Sequence, residues 1–145
     1  MSTRLPLMLA LVAIAVASSC SLPRPRAGEM AIHALAPSVA RSTQPALEAQ
    51  LLIEVPAAAA PIDSDRIAVR AGASEYGVLR GQRWAEPAPE LWQSLLVRAL
   101  FDDGRRAAGR ARDGLAADER LLGELRAFDY EREAGRVRIH FIAQR

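Results

Sequence analysis

Pro87-Ala-Pro-Glu-Leu91-Trp-Gln-Ser-Leu95-Leu-Val-Arg-Ala-Leu-Phe101 is the stretch that decides how this chain reads. Leu91, Trp92, Leu95, Leu96, Ala99 and Leu100 recur at spacings of three and four, which places one apolar stripe along an α-helix. Pro87 suits the first helical turn, where a missing N–H costs nothing. Glu86 and Glu90 lie at the positive end of the helix dipole, and Arg98 lies towards the negative end. Asp102 and Asp103 oppose that dipole, so the expected helix stops at Phe101, with Gly104 available as a left-handed cap.

Both flanks of this helix read as strand. Downstream, Arg136–Gln144 alternates Val137, Ile139, Phe141 and Ala143 with Arg138, His140, Ile142 and Gln144, and Asp118–Tyr130 has a looser alternation. Joined through Glu131–Gly135, the two runs predict an antiparallel hairpin. Upstream, Met30–Leu35 predicts a short first strand, and the Pro/Ser/Thr-rich Ala36–Pro45 predicts a loop. Leu47–Val55 predicts a strand stopped by Pro56, and Ala57–Ala60, held between Pro56 and Pro61, predicts a loop. Ile67 and Val69 share one side of a strand over Arg66–Arg70, Gly72 and Ser74 mark a turn, and Glu75–Leu79 is extended again before Gly81. The expectation is an α+β fold: a small, mostly antiparallel sheet packed against one main amphipathic helix from Pro87 to Phe101 and ending in a hairpin. A final strand with an unpaired edge is an aggregation hazard, so the domain is expected to be incomplete at its C-terminus.

The N-terminus is a separate matter. Arg4 precedes an apolar run from Leu5 to Ala17, about thirteen residues where a membrane-spanning helix needs about 20. That pattern is a signal peptide, and it is excluded from the fold. Ser18-Ser19-Cys20 follows, and Cys20 is the single cysteine of the chain. Two cleavages fit the same residues. Lipoprotein processing would place Cys20 at the new N-terminus as an acylated residue. Ordinary signal peptidase would read Ala15-Val16-Ala17 and release a soluble protein beginning at Ser18. An exported chain with one unpaired thiol risks oxidation, which favours a cysteine consumed as a thioether. The expected divisions are a signal peptide over 1–19, a lipidated tether over 20–29 carrying Pro23 and Pro25, and one domain over 30–145.

Composition narrows the function classes. All nineteen basic residues are arginine, against seventeen acids, so the body is close to neutral and lacks the cation excess that nucleic-acid binding needs. Aromatics make up 5% of the chain, so the few large side chains must supply the core. Asp63-Ser64-Asp65 reads as a turn and not as a metal motif. His33 and His140 stand in strands without a nucleophile motif, and no Gly-rich phosphate loop or Cys/His zinc spacing occurs. The reading is of a non-enzyme with no cofactor and no metal. Trp84 is read either as a partner-binding aromatic or as core at the strand-to-helix junction. Arg105, Arg106, Arg110 and Arg112 are read either as contacts to lipid phosphates or an acidic partner, or as a solvated loop.

Several segments taken together resemble the ABC-type transport auxiliary lipoproteins: Leu51-Leu-Ile-Glu-Val-Pro56, Ile62–Arg70, Gly81-Gln-Arg-Trp-Ala-Glu-Pro87 and Gly114–Phe128. That family includes the lipoprotein component of the paraquat-inducible Pqi system and partners of MCE-type lipid transporters. The resemblance implies a Gram-negative envelope protein acylated at Cys20 and held to a membrane by those acyl chains. It also implies that the protein works with an ABC transporter and a periplasmic MCE-type subunit without catalysis. Ser21, in place of an aspartate after the cysteine, implies sorting to the outer membrane, facing the periplasm. A homo-oligomer is left open. Two departures accompany the resemblance. Gly104–Asp113 has no large apolar residue where relatives place a strand, so that strand is expected to be weak or missing. Relatives also continue past Arg145, which suggests a truncated member.

Overall fold

In a computed structural model of the protein, the described residues are 30–38, 43, 45, 49–104 and 107–144. They form eight strands, β1 (Ala31–His33), β2 (Leu51–Ile53), β3 (Ala57–Ala58), β4 (Arg66–Ala71), β5 (Glu75–Trp84), β6 (Ala108–Gly109), β7 (Glu119–Glu131) and β8 (Arg136–Gln144). One α-helix, α1 (Ala88–Asp103), and a 3₁₀ turn at Ala111–Asp113 complete the set.

β7 is the spine. Its thirteen residues pair in parallel with three short segments in succession: β2 at Glu119–Leu121, β3 at Glu124–Leu125 and β4 at Asp129–Glu131. β8 takes Leu122–Glu131 antiparallel, so β3 and β4 lie on the opposite edge of β7 from β8. The sheet runs β1-β5-β4-β7-β2-β6, with β3 and β8 also on β7.

This corrects the expectation of a mostly antiparallel sheet. The hairpins β4–β5 and β7–β8 are antiparallel, but β1–β5, β2–β6, β2–β7, β3–β7 and β4–β7 are parallel, so the fold is α+β with a mixed, curled sheet. The physical reason is the crossover: α1 and the segments after it return the chain to its starting end before β7 begins, and a returning strand lies parallel to the earlier ones. One local expectation changes with it. Ala57–Ala58 is a short strand and not loop, because β7 is long enough to offer it backbone partners. Ala108–Gly109 forms a strand of only two residues on β2, the weak strand expected of a segment without large apolar side chains.

α1 follows the sequence pattern closely. Pro87 caps its start with extended backbone, and Gly104 ends it in the left-handed region at φ 71° with its N–H donating to the Phe101 carbonyl. Ile62, Ala88, Leu91, Leu125 and Phe128 form the buried cluster under the helix, with Leu35, Ala58, Trp84, Trp92 and Phe141 packed around it. Leu91 and Leu125 are fully enclosed, each contributing about 2 kcal/mol of apolar burial. The apolar stripe is not the whole buried face: Gln93 and Ser94 are also buried.

Candidate functional site

The Arg83–Pro87 block is fixed by its backbone before any side chain acts. The Trp84 N–H donates to the Asp65 carbonyl at 2.7 Å, the Ala85 N–H to the His33 carbonyl at 2.8 Å, and the Ala88 N–H to the Ser64 carbonyl at 3.0 Å. The block is thus clamped between β1 and the turn before β4. This orients the Trp84 ring edge-on to Phe128, with centroids 5.4 Å apart, and His33 stands 6.4 Å away on its other side. Trp92 continues the cluster at 6.4 Å from Phe128 and 5.6 Å from Phe141. Both tryptophans are half-buried where helix and sheet meet, and in this structure they act as packing groups.

Of the four arginines singled out from sequence, Arg105 and Arg106 lie outside the described residues, as does Cys20. Arg110 is half-buried. Its guanidinium donates to the Ser94 hydroxyl at 2.5 Å, and that hydroxyl donates to the Glu86 carboxylate at 2.8 Å. The Arg110 N–H donates to the Asp113 carboxylate at 2.7 Å. Beside this relay the Gln93 amide donates to the Ile53 carbonyl at 2.6 Å, tying α1 to β2. Arg98 reaches the other way and donates to the Leu35 carbonyl. Arg112 is exposed. Arg110 and Arg112 share the wall of a shallow cavity of about 190 Å³ with Glu54, Val55, Gln93 and Ala111. Sequence periodicity had no means of finding the relay, because Glu86, Ser94 and Arg110 are brought together by packing and not by spacing.

The face of the sheet away from the helix carries cross-strand ion pairs. Arg70 on β4, Glu131 on β7 and Arg136 on β8 stand in one row of the register, with Arg70 and Arg136 bonding Glu131 at 2.5 and 2.9 Å. Hydrogen bonds from Arg136 and then Arg70 hold the Glu131 carboxyl below its ordinary value. One row along, Arg138 grips the Asp129 carboxylate at 2.8 and 3.3 Å. The Asp129 side chain is completely enclosed, and its hydrogen bond to Arg138 raises the arginine pKa further. Ala68, paired with Asp129, and Ala127, paired with His140, are buried on this same face.

The opposite face has an uncovered portion. Leu125, Phe128 and Phe141 are under the helix, but Tyr130, Val137 and Ile139, further along the same face, are exposed, Val137 to 68%. Among the described residues β8 pairs with β7 alone, so its outer edge meets no strand. No cluster of three or more His, Cys, Asp or Glu among the described residues is placed to hold a metal. No helix among them is long and apolar enough to cross a membrane.

The sequence model of the family described as "ABC-type transport auxiliary lipoprotein component" matches residues 32–142. A Xanthomonas campestris protein known from its crystal structure is similar over 78% of this chain and 77% of its own, at 28% identity and a TM-score of 0.62. An uncharacterized protein, also solved by crystallography, shares the fold at 13% identity and a TM-score of 0.56, over 79% of this chain and 77% of its own. No curated protein matches.

Proposed function

The chain belongs to the ABC-type transport auxiliary lipoprotein family, and from that premise we propose that it is a non-catalytic adaptor anchored by acyl groups on Cys20. In this reading it docks an MCE-type periplasmic subunit and its ABC transporter at the outer membrane, where lipid passes between the two membranes. The observation that carries it is the pairing of the family match over residues 32–142 with Cys20 standing directly behind an apolar leader.

The division of labour follows from the chemistry. Acyl chains supply membrane affinity at about 0.8 kcal/mol per buried CH₂, so two or three chains hold the protein firmly. The nine residues from Ser21 to Glu29 span at most about 30 Å when extended, which keeps the folded domain beside the bilayer. The domain itself then presents a rigid protein surface. Arg112 is exposed and shares the wall of the 190 Å³ cavity with Arg110, and in this reading it meets an acidic group of a partner.

The test is phase partition of the full chain in Triton X-114, with intact mass of the mature protein. Wild-type chain should enter the detergent phase with a mass carrying two or three acyl groups, and Cys20→Ala should move to the aqueous phase. A mature mass beginning at Ser18 would replace the anchor with a soluble periplasmic protein, the second product that Ala15-Val16-Ala17 permits. Co-purification of wild-type chain with an ABC transporter and an MCE-type subunit from detergent-solubilised envelopes tests the adaptor role itself.

A further inference from the structure

We propose that the cleft beside the bulge of β5, where Arg66, Arg80 and Arg83 line one cavity with Met30, rests on the anionic phospholipid headgroups of the bilayer that holds Cys20. This membrane seat rests on the adaptor reading for the anchor alone; the cleft and its charge come from the fold.

β4 and β5 fall out of register at one place. Arg66 pairs with Arg83 and Ala68 with Val78, so Leu79, Arg80, Gly81 and Gln82 of β5 stand opposite Ile67 alone. Gly81 turns this bulge at φ 70°. Beside it lies a cavity of about 320 Å³, which Met30 and Arg66 share with the bulge and with Arg83. The cavity belongs to the side of the sheet turned away from the helix. Arg66 and Ile32 both partner Arg83, which is opposite in parity to the inward Trp84, and Val78 partners Ala68, itself paired with Asp129.

The lining is cationic and amphipathic. Three arginines stand there against one acid, Asp65, which accepts from Arg83 at 3.4 Å in an exposed pair. Among the described residues Arg66 and Arg80 make no ion pair, so two guanidinium groups are free to take phosphate oxygens. Met30 and Ile32 are more than half exposed and Val78 nearly half, so apolar side chains stand among the cations, as on a surface that enters the headgroup layer. Position identifies the occupant. Met30 both lines the cleft and follows the tether, and the nine residues between it and Cys20 hold the cleft within about 30 Å of the acylated end. Arg24 and Arg26 of the tether, against Glu29, add cations beside the anchor. A soluble partner can reach any face of the domain, whereas headgroups reach the face beside the tether.

The test places the lipidated full chain in vesicles of phosphatidylcholine, alone or mixed with phosphatidylglycerol. Amide hydrogen exchange at Ala31, Ile32 and residues 78–83 should be slower by about threefold or more on the mixed vesicles, and the difference should shrink as salt rises. Arg66→Ser combined with Arg80→Ser, at two exposed positions, should abolish the difference at an unaltered melting temperature. The mature Cys20→Ala chain gives a second reading that needs no anchor. It should co-sediment with mixed vesicles about tenfold or more better than with phosphatidylcholine, and the two serines should remove that preference. Indifference to phosphatidylglycerol, or an undiminished response in the double variant, would overturn the proposal. So would displacement of the Cys20→Ala chain from mixed vesicles by inorganic phosphate at matched ionic strength, since the arginines would then hold a free phosphate. Loss of transporter co-purification in the double variant, with no headgroup dependence, would give the cleft to a protein partner and overturn it as well. Aqueous partition of the wild-type chain is the separate mark of a failed anchor, and co-sedimentation of Cys20→Ala still reads the cleft.

Discussion

Gly123 shows how much of the packing is set by a single missing methyl. A Cβ built there would lie 2.4 Å from the Phe141 ring and 2.6 Å from the Ile142 carbonyl oxygen, both well inside contact distance. Phe141 owes its position against Trp92 to that gap. Gly123→Ala should push the ring or the β8 backbone outward and cost about 1–3 kcal/mol, read as a lowered urea midpoint at unchanged slope. An unchanged midpoint would mean that the ring has room to move. The looser alternation over Asp118–Tyr130 could not say which cross-strand side chain fills the space above Gly123. The same limit applies to Trp84. Its position at the strand-to-helix junction was legible, whereas its neighbours His33 and Phe128 lie 51 and 44 positions away along the chain.

Among the elements, β7 is informative because it carries both the core and the charged cover. Its residue Glu131 binds Arg70 of β4 on one side and Arg136 of β8 on the other, so one carboxylate links three strands. Folding holds this carboxyl below its ordinary value of 4.5, which means the folded state favours the charged form. The stabilisation is present in full above that ordinary value and is lost as pH falls through the lower, folded value. Glu131→Gln should therefore melt at a lower temperature than wild type at pH 7, and the gap should narrow as pH drops below about 4.5. A gap independent of pH between 7 and 3 would remove the carboxylate from the account. The helix was more legible than any strand. Pro87 and Gly104 bracket it, and the observed Ala88–Asp103 runs two residues past the expected end, because Gly104 and not the acidic pair terminates it. The buried Gln93 and Ser94 were not legible, since their partners Ile53, Glu86 and Arg110 come from loops and strands folded over that side of the helix.

At the scale of the whole molecule, stability should be graded outward from β7. Leu125, Asp129 and Tyr130 have strand partners on both edges, and Leu125, Phe128 and Asp129 are buried, whereas β1 is three residues on one neighbour and β6 is two. Amide hydrogen exchange should accordingly be slowest in Leu125–Tyr130 and faster, by about two orders of magnitude or more, in Ala31–His33 and Ala108–Gly109. Comparable protection of β6 and β7 would mean that the Arg110–Ser94–Glu86 relay locks the edge more firmly than its length suggests. Near neighbours along the chain are enough to set the helix between Pro87 and Gly104, the β7–β8 hairpin and the alternation of β8. The apolar leader ahead of Cys20 belongs to the same local class. Only the packed chain settles that β2, β3 and β4 run parallel along β7 and that Arg70, Arg136 and Arg138 pair with Glu131 and Asp129 across strands. The physical reason is that periodicity records which side of a strand is apolar but not which strand lies beside it, and pairs such as Ala68 with Asp129 are chosen by how the whole chain returns on itself.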